Sequence, residues 1–323
     1  MTDTNIDDDV VFDPETLRLI IGALAFAFPT MVIALTGRIT SSISASYHEL
    51  ETRDVFVGFL FLMGGLLIAY KGHLQGEPWD RSTNFWRWLF SGKAFKVYQE
   101  DIFSTIGGFA AILTALYPTA KDGDPVVGKA VVHVIGAFIL FSNVVYFCVI
   151  AFLRSLNQKL VVDLLLENKI QVTSAAVAQK LESFKAQSNR TVVQKITGIL
   201  FSQTFLFFRI VGKARKYSLK QIEHTPEALD RAWDRFQKLF RGWVYVVCGS
   251  AITLVLFVYI ILGWRMPNLL STTKITFIIE TISLVFFGIA WGTASKFNFI
   301  PQIKGWLGYT IQEEPSAPQT QTA

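Results

Sequence analysis

Cysteine is nearly absent from this chain: Cys148 and Cys248 are the two that occur, which excludes a disulfide framework and a cysteine-built zinc site. Histidine is scarce, limited to His48, His73, His133 and His224. There is no Walker loop, dinucleotide fingerprint or nucleophile elbow, so the soluble-enzyme chemistries that depend on them have no carrier here. Charge is thin as well. Asp, Glu, Lys and Arg make up 17% of the residues, against roughly a quarter in a soluble domain. Basic residues are missing from Met1 to Glu15, where Asp3, Asp7, Asp8, Asp9, Asp13 and Glu15 stand instead. A cleavable signal peptide needs the opposite sign there, so the first apolar run is expected to be retained.

What is abundant is apolar. Half of the chain (51%) is hydrophobic, Phe occurs 28 times, and these residues gather into runs instead of alternating. Helices apolar on every side need lipid as their solvent. Taking about 20 residues per crossing, the runs predict an all-α, polytopic transmembrane bundle with spans near 16–37, 54–71, 101–118, 131–153, 242–264 and 273–294. Pro29 should kink the first span, Pro118 close the third, and Asp54 cap the second. The chain therefore divides into an acidic tail 1–15, spans one to four over 16–153, a basic segment 154–241, spans five and six over 242–294, and a tail 295–323 whose Pro-, Thr- and Gln-rich end is expected to be disordered.

The segment 154–241 holds 16 Lys or Arg against 7 Asp or Glu. Leu160 with Leu164, then Val177, Leu181 and Phe184, recur at helical spacing, which predicts a mostly helical cytoplasmic or interfacial insertion. Its Lys213, Arg215, Lys216 and Lys220 follow the aromatic run Phe201 to Phe208, a pattern suited to anionic headgroups. The run 196–212 is long enough to compete as a seventh crossing, but Ser202, Gln203, Thr204 and Arg209 favour an interfacial or re-entrant helix. With six crossings, one side collects 24 Lys and Arg and the other 6; without the long segment the tally is still 8 to 6. That side, with both termini, is expected to be the cytoplasm of a bacterial inner membrane. The basic residues thus report topology rather than nucleic-acid binding. Self-association or a protein partner is compatible with the pattern.

The polar residues of the spans then sort into two layers. His48 and Asp54 lie at the outer mouth of the second span, His133 opens the fourth, and Glu280 sits about 10 Å into the sixth by helical rise. An acid within hydrocarbon costs roughly 2.5–3.5 kcal/mol, so Glu280 should face the bundle and have a partner or be protonated. These four form the candidate ligand or proton site. No metal or other cofactor is expected, and a zinc ion would have to use the same four. On the inner layer Lys71 and Asp101 are placed for an ion pair between the second and third spans. Trp79, Trp86, Trp88, Trp291 and Trp306 are expected as an aromatic belt. Small residues suggest close packing on one side of the second span (Asp54, Gly58, Phe61, Gly65), of the third (Asp101, Ser104, Gly108, Ala111, Ala115) and of the fourth (His133, Gly136, Ala137, Leu140, Asn143).

The stretches Ser42-Ile43-Ser44, Tyr47-His48, Arg53 to Gly58, Tyr70-Lys71-Gly72, Gly107 to Ala111, Ala115 to Thr119, Val132-His133 with Ala137, and Glu280 with Leu284 and Phe287 to Trp291 resemble a family of bacterial six-span integral membrane proteins. That resemblance implies the membrane architecture and no activity, and it makes residues from about 155 to 235 look like an insertion. Ser44, His48, Asp54 and His133 bear a looser similarity to the CREST membrane hydrolases, which implies a zinc site and lipid hydrolysis. The late HxxxH helix of that superfamily is missing, so Glu280 would have to substitute. A non-catalytic membrane component binding a small ligand, proton or headgroup near the outer leaflet is the favoured reading. A metal-dependent lipid hydrolase is the alternative, and a transporter or channel the third, although broken helices in matched halves are not visible.

Overall fold

The computed structural model describes residues 13–71, 98–121, 124, 126–167, 173–186, 202–218, 226–266, 269–270 and 274–295. The elements are α1 (Pro14–Thr36), a 3₁₀ turn (Ser44–His48), α2 (Leu50–Ala69), α3 (Gln99–Leu116), α4 (Lys129–Tyr146), a π-helical turn (Phe147–Phe152), α5 (Leu153–Glu167), α6 (Ser174–Ala186), α7 (Ser202–Ser218), α8 (Pro226–Arg265) and α9 (Ile275–Ala294). Asp13 caps α1, its carboxylate accepting from the Thr16 amide at 3.1 Å, and Gly37 ends it with φ 62°, a left-handed conformation suited to glycine. Pro29 lies inside α1, which runs unbroken through it.

Among the described residues, five helices are long and apolar enough to cross a membrane: Pro14–Thr36, Thr52–Ala69, Lys129–Leu166, Trp233–Arg265 and Ile275–Ala294. The remaining predicted span, the third, is α3, which falls short because its first turn is Gln99, Glu100 and Asp101. It nevertheless lies between α2 and α4. The helices close a ring, with α1 against α2 and α9, α3 against α2 and α4, and α8 joining the α4–α5 rod to α9. Contacts fix the directions. Ser104 donates to the Tyr70 carbonyl at 3.2 Å, and His133 lies against Tyr117, so α3 spans the ring antiparallel to both neighbours. Arg18, Tyr70, Gln99, Arg154 and Ala294 gather at one end, called the near end; the 37–49 connection, Tyr117, Lys129 and Lys274 lie at the far end.

The interior is aromatic. Trp291 is fully buried against Tyr70, Phe147, Phe152 and Phe287 at ring separations of 5.2–5.5 Å, not in a surface belt as expected. The other predicted belt residues, Trp79, Trp86, Trp88 and Trp306, lie outside the described residues, as do the tails 1–12 and 296–323. Toward the middle, Phe28 stacks on Phe59 at 4.1 Å, above a cavity of about 20 Å³. Cys148 and Cys248 are buried free thiols.

Two pairs of glycines bring helix backbones close together. A methyl on Gly22 would lie 2.8 Å from the Gly288 carbonyl oxygen, and one on Gly108 would lie 2.5 Å from that of Gly64. The predicted faces of α3 and α4 are buried or half-buried, but that of α2 is rotated. Gly58, Phe61 and Gly65 are exposed, whereas Phe56, Leu60, Met63, Gly64 and Leu67 face inward. Gly108→Ala is accordingly expected to destabilise the bundle by about 1–3 kcal/mol through overpacking against backbone. Gly65→Ala, which meets nothing within 4 Å, should cost no more than a few tenths; thermal unfolding of the detergent-solubilised protein reads both.

Beyond the near end, α5 continues α4 without a break, since Phe147 and Leu153 both keep right-handed helical backbone. The helix α8 likewise extends 40 residues, about 60 Å. Lys238 bridges them, its Nζ 2.8 Å from Asp163 and 2.7 Å from Asp234. The run predicted as interfacial or re-entrant is represented by α7, which packs on α5 and α8: Asn157 donates to the Gln203 carbonyl at 2.9 Å, and Phe207 lies on Gly242.

Candidate functional site

At the far end the segment between α1 and α2 folds over α9. Ile43 is the N-cap of its 3₁₀ turn, and the Ser46 hydroxyl donates to the Ile43 carbonyl at 2.6 Å. Thr52 then donates to the Ser46 carbonyl at 2.9 Å, tying the turn to the first turn of α2. The free amide at the start of such a turn needs an acceptor. Glu280 of α9 supplies it, with Oε2 accepting from the Ile43 amide at 2.5 Å and Oε1 from the Ser44 hydroxyl at 3.1 Å. The Phe277 amide donates to the Ser41 carbonyl at 3.1 Å, a second stitch one helical turn away. Glu280 is partly buried, and its partners are these neutral donors.

The two far-end histidines act on a different connection. His133, buried at the start of α4, hydrogen-bonds through Nδ1 to the Tyr117 carbonyl at 2.7 Å. His48, exposed at the end of the 3₁₀ turn, uses Nε2 on the Thr119 carbonyl at 2.8 Å. A carbonyl can only accept, so each of these nitrogens carries the proton. His133 stacks on Phe56 at 6.4 Å, and its Nε2 is buried without a partner. The imidazoles thus both hold the segment Tyr117-Pro118-Thr119 through its carbonyls.

Asp54 does not join them. The helix α2 starts at Leu50 with Glu49 at its N-cap, so Asp54 is not a cap; its side chain is 84% exposed beside Arg53 at 3.5 Å. The four predicted groups therefore divide into Glu280 under one loop, His48 and His133 around another, and Asp54 in the open. Among the described residues, no group of three or more His, Cys, Asp or Glu side chains is placed to hold a metal ion.

The near-end layer is denser than the sequence suggests. Lys71 is exposed. Among the described residues, an ion pair near that level joins Glu100 to Arg154 at 3.1 Å, with side chains 4% and 15% exposed, and Arg154 also donates to Gln99 at 2.7 Å. Arg18 was missed altogether. It is buried in the first turns of α1, donating from Nε and Nη2 to the Tyr70 hydroxyl at 3.1 and 2.9 Å and from Nη1 to the Ala294 carbonyl at 3.2 Å. A cation on the last carbonyls of α9 complements that helix's dipole. The available signal was an arginine inside an apolar span, which demands partners in the bundle.

No family model, curated protein or solved structure matches this chain.

Proposed function

We propose that this protein is a non-catalytic, six-crossing component of a bacterial inner membrane. In this reading its far-end polar layer responds to a small ligand, a proton or a headgroup and passes the response to helices on the cytoplasmic side. The observation that carries it is the continuity of one helical rod. His133 stands at its far end, Arg154, Asn157 and Asp163 stand beyond the π-helical turn, and the backbone stays helical from Lys129 to Glu167. A π turn inside a helix is a frequent mark of a functional site, because it offers an alternative register without breaking the rod. The excess of Lys and Arg on the near side supports a cytoplasmic placement, and the position of α3 between two apolar crossings supports a sixth pass. The three far-end groups Glu280, His48 and His133 all hold backbone groups of loops. A ligand competing for any of those bonds would therefore free a loop and unload the helix beneath it.

Glu280→Gln tests the reading, because the amide replaces one acceptor oxygen by a donor facing the Ile43 amide or the Ser44 hydroxyl. Amide hydrogen exchange in nanodiscs is expected to rise at least tenfold over residues 41–48 and measurably over 202–218. The same pair of segments should respond to His133→Ala. Faster exchange confined to the far end would show an anchored loop with no transmission and would overturn the proposal.

A further inference from the structure

The helix α7 is apolar on two sides. Leu206, Phe207 and Ile210 are buried against α5 and α8, yet Phe205 and Phe208 on another side are 52% and 41% exposed. Phe208 meets Trp243 edge-on at 5.3 Å. Trp243 belongs to an exposed stripe of α8 that continues through Val247, Leu254 and Phe257 along the membrane-facing surface, and in the other direction through Phe240 and Phe236. From Phe236 to Trp264 that stripe runs about 42 Å by helical rise, against a hydrocarbon core of about 30 Å. The neighbouring α9 has only 20 residues, which is about 30 Å. An upright bundle leaves the lower part of the stripe, with Phe205 and Phe208 beside it, at the boundary between headgroups and acyl chains.

The sequence of α7 carries charge of one sign: Arg209, Lys213, Arg215 and Lys216, with no acid. We infer that α7 is an in-plane helix seated in the near-side leaflet, its Phe205 and Phe208 sunk among acyl chains next to Trp243 and its basic second half recruiting anionic phospholipid headgroups. Two observations select a lipid surface as the occupant. The aromatic patch is continuous with the stripe that faces acyl chains, and the adjoining charge is complementary to anionic lipid. The patch would give the bundle a preference for anionic membranes, independent of any far-end ligand.

Both native thiols are buried, so single probes report cleanly. Bimane on Phe205→Cys and Phe208→Cys, in the full chain reconstituted into nanodiscs of phosphatidylcholine with phosphatidylglycerol, is expected to be quenched by brominated acyl chains as strongly as a probe on Leu254→Cys. It should resist aqueous iodide, while a probe on exposed Ser183→Cys of α6 should show the reverse. Replacing Lys213, Arg215 and Lys216 by Gln is expected to lower the preference for phosphatidylglycerol over phosphatidylcholine by roughly fivefold per charge removed. Iodide quenching at 205 and 208, cross-linking of two copies through those positions, or an unchanged lipid preference in the Gln variant would each overturn the inference.

Discussion

Glu100→Gln is expected to destabilise the folded bundle by about 3–5 kcal/mol, and Arg154→Met by a similar amount, whereas the double substitution should cost far less than their sum. The reason lies in what each change leaves behind. Removing the carboxylate takes the counter-charge from a guanidinium that is 15% exposed and whose Nε already has no partner; removing the guanidinium takes the counter-charge from a carboxylate 4% exposed. Stranding one partner of a buried pair typically costs this much, while replacing both by apolar or neutral groups is often close to neutral. Gln99 at 2.7 Å from Arg154 softens the loss of Glu100 without neutralising the cation. Unfolding in bicelles, read as a double-mutant cycle, should give a coupling of at least 2 kcal/mol. Additive effects would mean that the two side chains are solvated independently, and that the first turn of α3 is not buried against the rod. The same pair explains why α3 fails a simple apolarity criterion. Its acids are gathered in one turn at the near end and matched by a cation from the neighbouring helix, and the remainder, from Ile102 to Leu116, is apolar or small.

Helical periodicity carried much of the architecture into view. Ser104, Gly108, Ala111 and Ala115 on α3, and His133, Gly136 and Asn143 on α4, are the buried faces that spacing alone predicts. On α2 the same logic chose Gly65 where the contact uses Gly64. One residue turns a helix by about 100°, so two adjacent glycines point to different neighbours and composition cannot choose between them. The α4–α5 rod was harder still. Arg154 looks like the first residue of a cytoplasmic segment, because hydropathy drops there, but a helix need not stop where its solvent changes. The candidate site was legible as residue types and illegible as partners. Glu280, His48 and His133 each bind a backbone group, and an amide at Ile43 or a carbonyl at Tyr117 or Thr119 leaves no mark in residue identity. For Lys71 and Asp101 the sequence supplies only opposite charges near one level; these are necessary for an ion pair, but the direction of each side chain around its helix is not written in residue identity.

Tyr70→Phe, the loss of one oxygen atom, is expected to cost more than deletion of the whole charged group opposite it. The Tyr70 hydroxyl accepts two of the three hydrogen bonds that Arg18 makes, at 2.9 and 3.1 Å, and the guanidinium also lies 5.3 Å from the centre of its ring. Phenylalanine keeps the ring contact and removes the acceptor, leaving a buried cation with the Ala294 carbonyl as its remaining hydrogen-bond partner. Hydrogen bonds to charged groups contribute about 1.5–3 kcal/mol each, and two N–H groups sharing one acceptor do not contribute twice, so about 2–3 kcal/mol is the expected loss. Arg18→Met takes away the charge that needed solvating and lets the tyrosine hydroxyl and the carbonyl remain in a pocket whose apolar walls the thioether can fill; its cost should stay near 1 kcal/mol. With Arg18→Met in place, Tyr70→Phe should become nearly silent. Thermal unfolding of the three variants orders them directly. If Arg18→Met proved the more damaging single change, the guanidinium would have to be valued for its cap on α9 through Ala294 rather than for its bond to Tyr70, and the near end of the ring would be held by the helix terminus instead of by the link between α1 and α2.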